Sequence, residues 1–339
     1  MLSSSQLYCI CDIKKVDTYL SELKDFSGGV CITQDNKVLL KKNCGYENRE
    51  LKIYNNSSTK FPIASNTKSF TAVAIVLLQE KRLLNIEDKL NKYIAGFPDN
   101  ITIHHLLTHS SGIPNYYKYW DEIKDVTDLE QIINIIKTWK LDFEPGSSYR
   151  YSNSGYLLLA YIVEKVTGNS VEDFLSQNIF KRLNMRNSGS IINKSIIERK
   201  ALGYIKNNGL IIDSPSITNP LTLLGNGDLH SSIDDMIVWL NALFSGKIIT
   251  KENLDLILKP HIATETTNNR FHGYGWFLEN KNGKLVAEYS GALVGYLSKV
   301  VRFIDDNISL IILTNVEDQE QFLNVCDDVS NFIQETSLK

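Results

Sequence analysis

Apolar and polar residues alternate near both ends of the chain, whereas apolar positions recur at helical spacing through its middle. In GGVCITQDNKVLLKK, Val30 and Ile32, then Val38 and Leu40, alternate with their neighbours around Asp35-Asn36. That pattern predicts a half-buried β-hairpin. Val16 to Leu23, just before it, has the spacing of a short amphipathic helix. Beyond residue 260 the alternation returns. YGWFLEN, KLVAEYSG, YLSKVVRFI and ISLIILTN predict strands joined at turn residues such as Asn282-Gly283 and Asp306-Asn307. A final helix is predicted over 320–335.

The middle of the chain reads differently. From Phe70 to Leu78 nearly every residue is apolar, on all faces, so this helix is predicted to lie in the interior. TDLEQIINIIKTWK is amphipathic, with Ile132, Ile133, Ile135 and Ile136 on one broad face. EPGSSYRYSNSGYLLLAYIVEKVTG carries a turn at Pro145-Gly146, a polar loop, and a second apolar helix ending at Gly168. SVEDFLSQNIFKRL and SIDDMIVWLNALFSG add helices, the latter capped by Ser232 or Asp234. LNIEDKLNKYI and ITIHHLLTHSSGIPNYY read as short helices with loops. The expected fold class is α+β, of the α/β sandwich type. An antiparallel sheet built from both termini (residues 1–70 and 260–339) is flanked by helices, with a largely helical region, 71–259, inserted. The cleft between the two regions is the expected ligand site.

Composition narrows the function classes. With 339 residues, 43% of them hydrophobic, the chain can bury a large core of the ordinary globular kind. A net charge of −3 with scattered basic residues excludes a phosphate-tracking surface, so neither nucleic acid nor anionic lipid is an expected partner. No apolar run approaches the roughly 20 residues that span a bilayer. The start, MLSSSQLYCICDIKK, lacks the basic opening and apolar stretch of a secretory signal, and a cytoplasmic location is the expectation. Cys9, Cys11, Cys31, Cys44 and Cys326 are dispersed without metal-type spacing and read as free thiols.

The candidate chemistry lies at the mouths of the two apolar helices. Ser-x-x-Lys occurs at Ser21/Lys24, Ser57/Lys60 and Ser65/Lys68, but only the last heads an interior helix. There, outward N–H groups and the positive end of the helix dipole favour an oxyanion and lower the pKa of a nearby lysine. A partly desolvated lysine can then accept the serine proton. The competing reading is a capping serine with a snorkelling lysine. Tyr-x-Asn likewise occurs at Tyr46/Asn48, Tyr54/Asn56 and Tyr151/Asn153, and only the last opens an apolar helix. Its tyrosine can relay a proton and its asparagine can bond a substrate amide; a capped helix start is the plainer reading. His105 and His109 have a metal-like spacing, but the glutamate of His-Glu-x-x-His and a third ligand are missing, so no metal is expected. Neither a Gly-x-Ser-x-Gly elbow nor a phosphate-binding glycine loop is present, GNGDLH included.

Taken in order, GGVCITQDNKVLL, FPIASNTKSFTAVAI, ITIHHLLTHSSGIP, EPGSSYRYSNSGYLLLAYIVEKVTG, GNGDLHSSIDDM and YGWFL resemble the serine β-lactamase and penicillin-binding protein superfamily, in its class C-like branch. The resemblance covers nearly the whole chain and makes LLTHSSG a structural segment. It implies Ser65 as the acylated nucleophile, Lys68 as its proton-transfer partner, Tyr151 as general base and relay, and Asn153 as a substrate-amide contact. The oxyanion donors would be the backbones of Ser65 and Ala292. Where the family has Lys-Thr-Gly or His-x-Gly, this chain has Tyr289-Ser290-Gly291. Tyr289 is then expected to hydrogen-bond Tyr151 or line an acyl pocket, with Gly291 beside it. The implied function is a serine hydrolase acting through an acyl-enzyme on an ester, amide or β-lactam carbonyl, without a cofactor. Tyr289 fits an esterase or small-peptide hydrolase better than a β-lactamase, because no cation faces the substrate there. The alternatives are a penicillin sensor or a non-catalytic binding module on the same fold, with a zinc hydrolase third. A small molecule or peptide is the expected substrate.

Overall fold

The computed structural model describes residues 12–192, 196–264 and 269–335; Cys9 and Cys11 lie outside them. The two ends of the chain meet in one eight-stranded antiparallel sheet. The amino-terminal hairpin supplies β1 (Gly28–Gln34) and β2 (Lys37–Cys44). The carboxy-terminal part supplies β3 (Ile262–Ala263), β4 (Arg270–His272), β5 (Phe277–Lys281), β6 (Lys284–Leu293), β7 (Tyr296–Phe303) and β8 (Ile308–Thr314). The strand order is β3-β4-β5-β6-β7-β8-β1-β2. β1 therefore lies between its own hairpin partner and β8, in a register pairing Gly28 with Thr314 and Gln34 with Ile308. Asp35 and Asn36 turn the hairpin with φ of 50° and 64°, which suits the tight turns that match strand twist.

β1 is not half-buried as its alternation suggests: every residue from Gly28 to Gln34 is buried. Helices cover both faces. On one side Val30, Ile32, Leu310 and Ile312 pack with Val16 and Leu20 of α1 (Ile13–Glu22) and with Val325 and Val329 of α5 (Gln319–Glu335). On the other, Cys31, Ile311 and Leu313 join the main core with Ile233 and Trp239 of α4 (Ile233–Phe244). Sequence alternation cannot report a second cover supplied from elsewhere in the chain.

Two apolar helices fill the interior. In α2 (Thr67–Glu80) every residue from Thr67 to Leu78 is buried, and α3 (Asn153–Thr167) is buried from Asn153 to Val163. Gly168 ends α3 at φ 71°, a left-handed position that glycine takes without strain. Ser232, not Asp234, caps α4 by accepting from Asp235 N–H, while Asp234 pairs with Lys41 at 2.8 Å. SVEDFLSQNIFKRL forms the expected helix as one unbroken run, Val171–Leu175, a wider turn at Ser176–Phe180, and Lys181–Leu183. Another expected helix is reduced. LNIEDKLNKYI forms a single tight turn, Leu90–Lys92. The middle region also carries short strands. Leu229–Ser231 pairs with Phe61–Pro62 and Gly189–Ser190, and Tyr204–Asn207 pairs with Leu210–Asp213. Strands of two to four residues leave too little periodicity to be read in advance.

Candidate active site

Ser65 sits in the middle of one tight turn, Ala64–Asn66, that runs directly into α2. Ala64 just before it has φ 47°. This left-handed conformation costs a residue with a β-carbon about 1–3 kcal/mol and persists only where its surroundings hold it. Ser298 of β7 does the holding: its hydroxyl donates to the Ile63 carbonyl at 2.7 Å and accepts from Asn66 Nδ2 at 2.8 Å. The sheet register puts Gly291 of β6 opposite Ser298. A β-carbon on Gly291 would lie 2.4 Å from the Ile63 oxygen and 2.9 Å from Ser65 N, so only glycine lets the strand approach this closely. β5 pairs with β6 only as far as Glu288, so the stretch from Tyr289 to Leu293 runs past the end of that pairing.

Lys68, one helical turn after Ser65, is fully buried. Its Nζ lies 3.1 Å from Ser65 Oγ and donates to the Asn226 carbonyl at 2.7 Å. Burial pushes its pKa well below the ordinary lysine value, against a smaller opposing effect of Asp228. Tyr151 closes the group from the other side, its hydroxyl donating to Ser65 Oγ at 2.9 Å. Burial pushes the phenol up to about 12, although the bond to Ser65 pulls the other way. Both neighbours of Ser65 are thus biased toward their neutral forms, amine and phenol.

Tyr151 is placed by the helix cap next to it in the chain and by a histidine ring packed against its own. Ser152 caps α3, its hydroxyl accepting from Gly155 N–H, and its own N–H donates to His109 Nδ1 at 3.1 Å. The His109 ring is 4.5 Å from that of Tyr151, centroid to centroid. Burial drives the His109 pKa well down, leaving an uncharged ring there. His105 has a separate occupation, completing the capping box of the short helix Ile103–Leu107. Asn153, the first residue of α3, is buried, and its side-chain oxygen has no hydrogen-bond partner.

A cleft of about 310 Å³ opens in front of Ser65, with Tyr151, Asn153, Gly291 and Ala292 on its walls. Tyr289 is not among the lining residues. Strand alternation turns it inward, where it is 1% exposed and its ring lies 5.3 Å from that of Phe277. Its hydroxyl lies close enough to the Tyr151 hydroxyl to make that phenol more acidic, as a hydrogen bond would, although the pair lacks full hydrogen-bond geometry. Ser290, pointing the other way, faces the cleft instead. A larger surface hollow of about 650 Å³, bordered by Glu50, Lys200 and Asp213, contains none of these groups.

Two contributors escaped the reading of the sequence. One is the carbonyl of Asn226, a backbone atom with no signature. The other is Asp228, buried, which accepts from Gly225 N–H at 2.8 Å and from the Ser190 hydroxyl at 2.9 Å. Its carboxyl, raised to about 6 by burial, ties down the turn that presents Asn226 to Lys68. The signal was present in GNGDLH, where an acidic residue stands between glycine and leucine.

Comparison with known proteins bears on this site. The profile of the family described as Beta-lactamase matches residues 16–330. Penicillin-binding protein 4* of Bacillus subtilis (strain 168) is 32% identical over 328 residues, which cover 89% of this chain and 71% of that protein. The chain spans 65% and 59% of the length of two further curated relatives, from Bacillus subtilis (strain 168) and Staphylococcus aureus (strain MRSA252). Among solved structures, the octameric penicillin-binding protein homologue from Pyrococcus abyssi superposes with a TM-score of 0.80 at 28% identity, over 90% of this chain and 74% of that one. The penicillin binding protein from Bacillus halodurans gives a TM-score of 0.82 at 24% identity, over 94% and 98%. The α+β architecture is common to them. Among the described residues, no helix is long and apolar enough to cross a membrane.

Proposed function

The chain belongs to the β-lactamase family of serine hydrolases, and on that premise we propose that Ser65 is acylated by an ester or amide substrate and released by water. The observation that carries this reading is the convergence of Lys68 Nζ, at 3.1 Å, and Tyr151 Oη, at 2.9 Å, on one serine oxygen. Ser65 Oγ attacks the carbonyl carbon and its proton passes to the Lys68 amine. The oxyanion forms between the N–H groups of Ser65 and Ala292. As the tetrahedral adduct collapses, Tyr151 gives its proton to the leaving group and Lys68 restores it through the same cluster. Water then repeats the sequence on the acyl-enzyme.

This allocation differs from the family-based expectation in one respect. A phenol raised to about 12 is poorly suited to stand as phenolate at neutral pH, so Lys68 is the base and Tyr151 the relay and acid. Asn153 lines the cleft, where a side-chain amide can bond the amide of an acyl group.

The test is turnover of p-nitrophenyl acetate with intact mass followed in time. The expected result is a transient acetyl adduct on Ser65 and steady release of nitrophenol. Its rate should rise with pH as the Lys68 amine is deprotonated, and should not fall below about pH 10, because Tyr151 keeps its proton until about 12. An adduct that never decays would make the protein an acylated sensor. A rate that falls between pH 7 and 10 as Lys68 loses its proton would mean that the lysine acts in its charged form, and would return the role of base to Tyr151.

A further inference from the structure

The cleft in front of Ser65 presents no charged side chain among its described lining residues, which include no lysine, arginine, histidine, aspartate or glutamate. The cations next along the chain are already engaged: Lys118 and Arg150 with Asp142, and Lys299 with Glu288. What the walls do present is apolar surface gathered from separate segments. Tyr117 comes from the turn Tyr116–Tyr119, Leu223 from the turn Pro220–Leu223, Leu293 from the end of β6, and Phe322 and Leu323 from the start of α5. Tyr117 and Leu323 are 59% and 49% exposed, whereas Leu223 and Phe322 are already buried against the protein. Large apolar side chains held open beside a reactive oxygen gain most when a ligand covers them. The other polar side chains on the walls, Asn153, Asn226, Ser290 and Gln319, are neutral hydrogen-bonding groups.

We propose that this site takes an uncharged, apolar substrate: an ester or amide whose acyl chain lies against Tyr117, Leu293 and Leu323 and carries no carboxylate along that chain. The inference rests on the assignment of Ser65 as nucleophile. Each methylene covered by the wall improves binding, whereas a carboxylate brought into it would lose water without meeting a cation.

The test compares kcat/KM for p-nitrophenyl hexanoate with that for mono-p-nitrophenyl adipate, the same chain ending in a carboxylate instead of a methyl. The expected preference for the hexanoate is ~10- to 100-fold. Leu323→Lys, a change at an exposed position, is expected to reduce that preference about tenfold by supplying the missing cation. A wild-type ratio at or below one overturns the proposal, and so does a ratio that Leu323→Lys leaves unchanged. The acetyl adduct from p-nitrophenyl acetate separates the two levels. If Ser65 is acetylated while the ratio fails, only the substrate class is wrong. If acetate leaves no adduct, the nucleophile assignment fails and takes this inference with it.

Discussion

Ser65→Ala is expected to lower kcat/KM for an activated ester by ~10⁴- to 10⁶-fold while leaving the protein folded. The side chain's hydrogen bonds run to Lys68 and Tyr151, so its loss removes one partner from each at the edge of the cleft rather than opening the core. Lys68 keeps the Asn226 carbonyl, and the stability cost is set by the unsatisfied phenol, about 1 kcal/mol. The backbone N–H groups of residues 65 and 292 remain in the variant. A residual rate above that of water is therefore expected from oxyanion stabilisation alone. Steady-state kinetics beside a thermal melt checks both parts. A variant with nearly wild-type turnover would place the chemistry elsewhere, and one that does not fold would mean that the turn Ala64–Asn66 depends on the serine hydroxyl.

Lys68→Met separates activity from stability. Removing the base is expected to cost ~10²- to 10⁴-fold in kcat/KM. Methionine fills nearly the same volume without an amine to desolvate, at the expense of leaving the Asn226 carbonyl without its donor. The pH dependence carries the sharper expectation. Because burial lowers the folded-state pKa of Lys68, the unfolded chain binds more protons than the folded one between that pKa and the ordinary value of about 10.5. This group therefore makes the wild type more stable as pH rises through the window, by about 1.4 kcal/mol per pH unit. Below the folded pKa both states are protonated and the dependence vanishes. Relative to Lys68→Met, the wild type should therefore gain stability as pH rises toward the ordinary lysine value, followed by urea unfolding across the alkaline range. A difference that is flat across that range would mean that Lys68 stays charged in the folded protein.

The features that were legible in the sequence share a physical basis. Segments with a long, one-sided or all-round apolar pattern were found where expected: the hairpin around Asp35-Asn36, the interior helix behind Ser65, the helix ending at Gly168, and the terminal strands and helix. Ser65, Lys68, Tyr151 and Asn153 stood out because polar residues opened apolar helices, and the fold brings all four to one place. What escaped depends on distant chain. Whether β1 was covered on one face or two was decided by α4, more than two hundred residues on. The inward turn of Tyr289 comes from how β6 lies against the turn at Ile63 and Ser65, a contact that Gly291 permits but does not announce. Asn226 acts through its carbonyl, which every residue possesses, and Asp228 acts by holding Asn226 in place. Side-chain chemistry at a helix mouth leaves a trace in sequence, whereas backbone groups recruited by tertiary contact do not.

The claim on which the rest depends is that Ser65 is an activated nucleophile. Intact mass after incubation with a small fluorophosphonate, and then peptide mapping, tests it most directly. One adduct, mapped to the peptide containing Ser65 and lost in Ser65→Ala, is the predicted result. Folded wild-type protein that takes no adduct, or takes it on another residue, would contradict the assignment, and the turn ahead of α2 would be only the start of a buried helix.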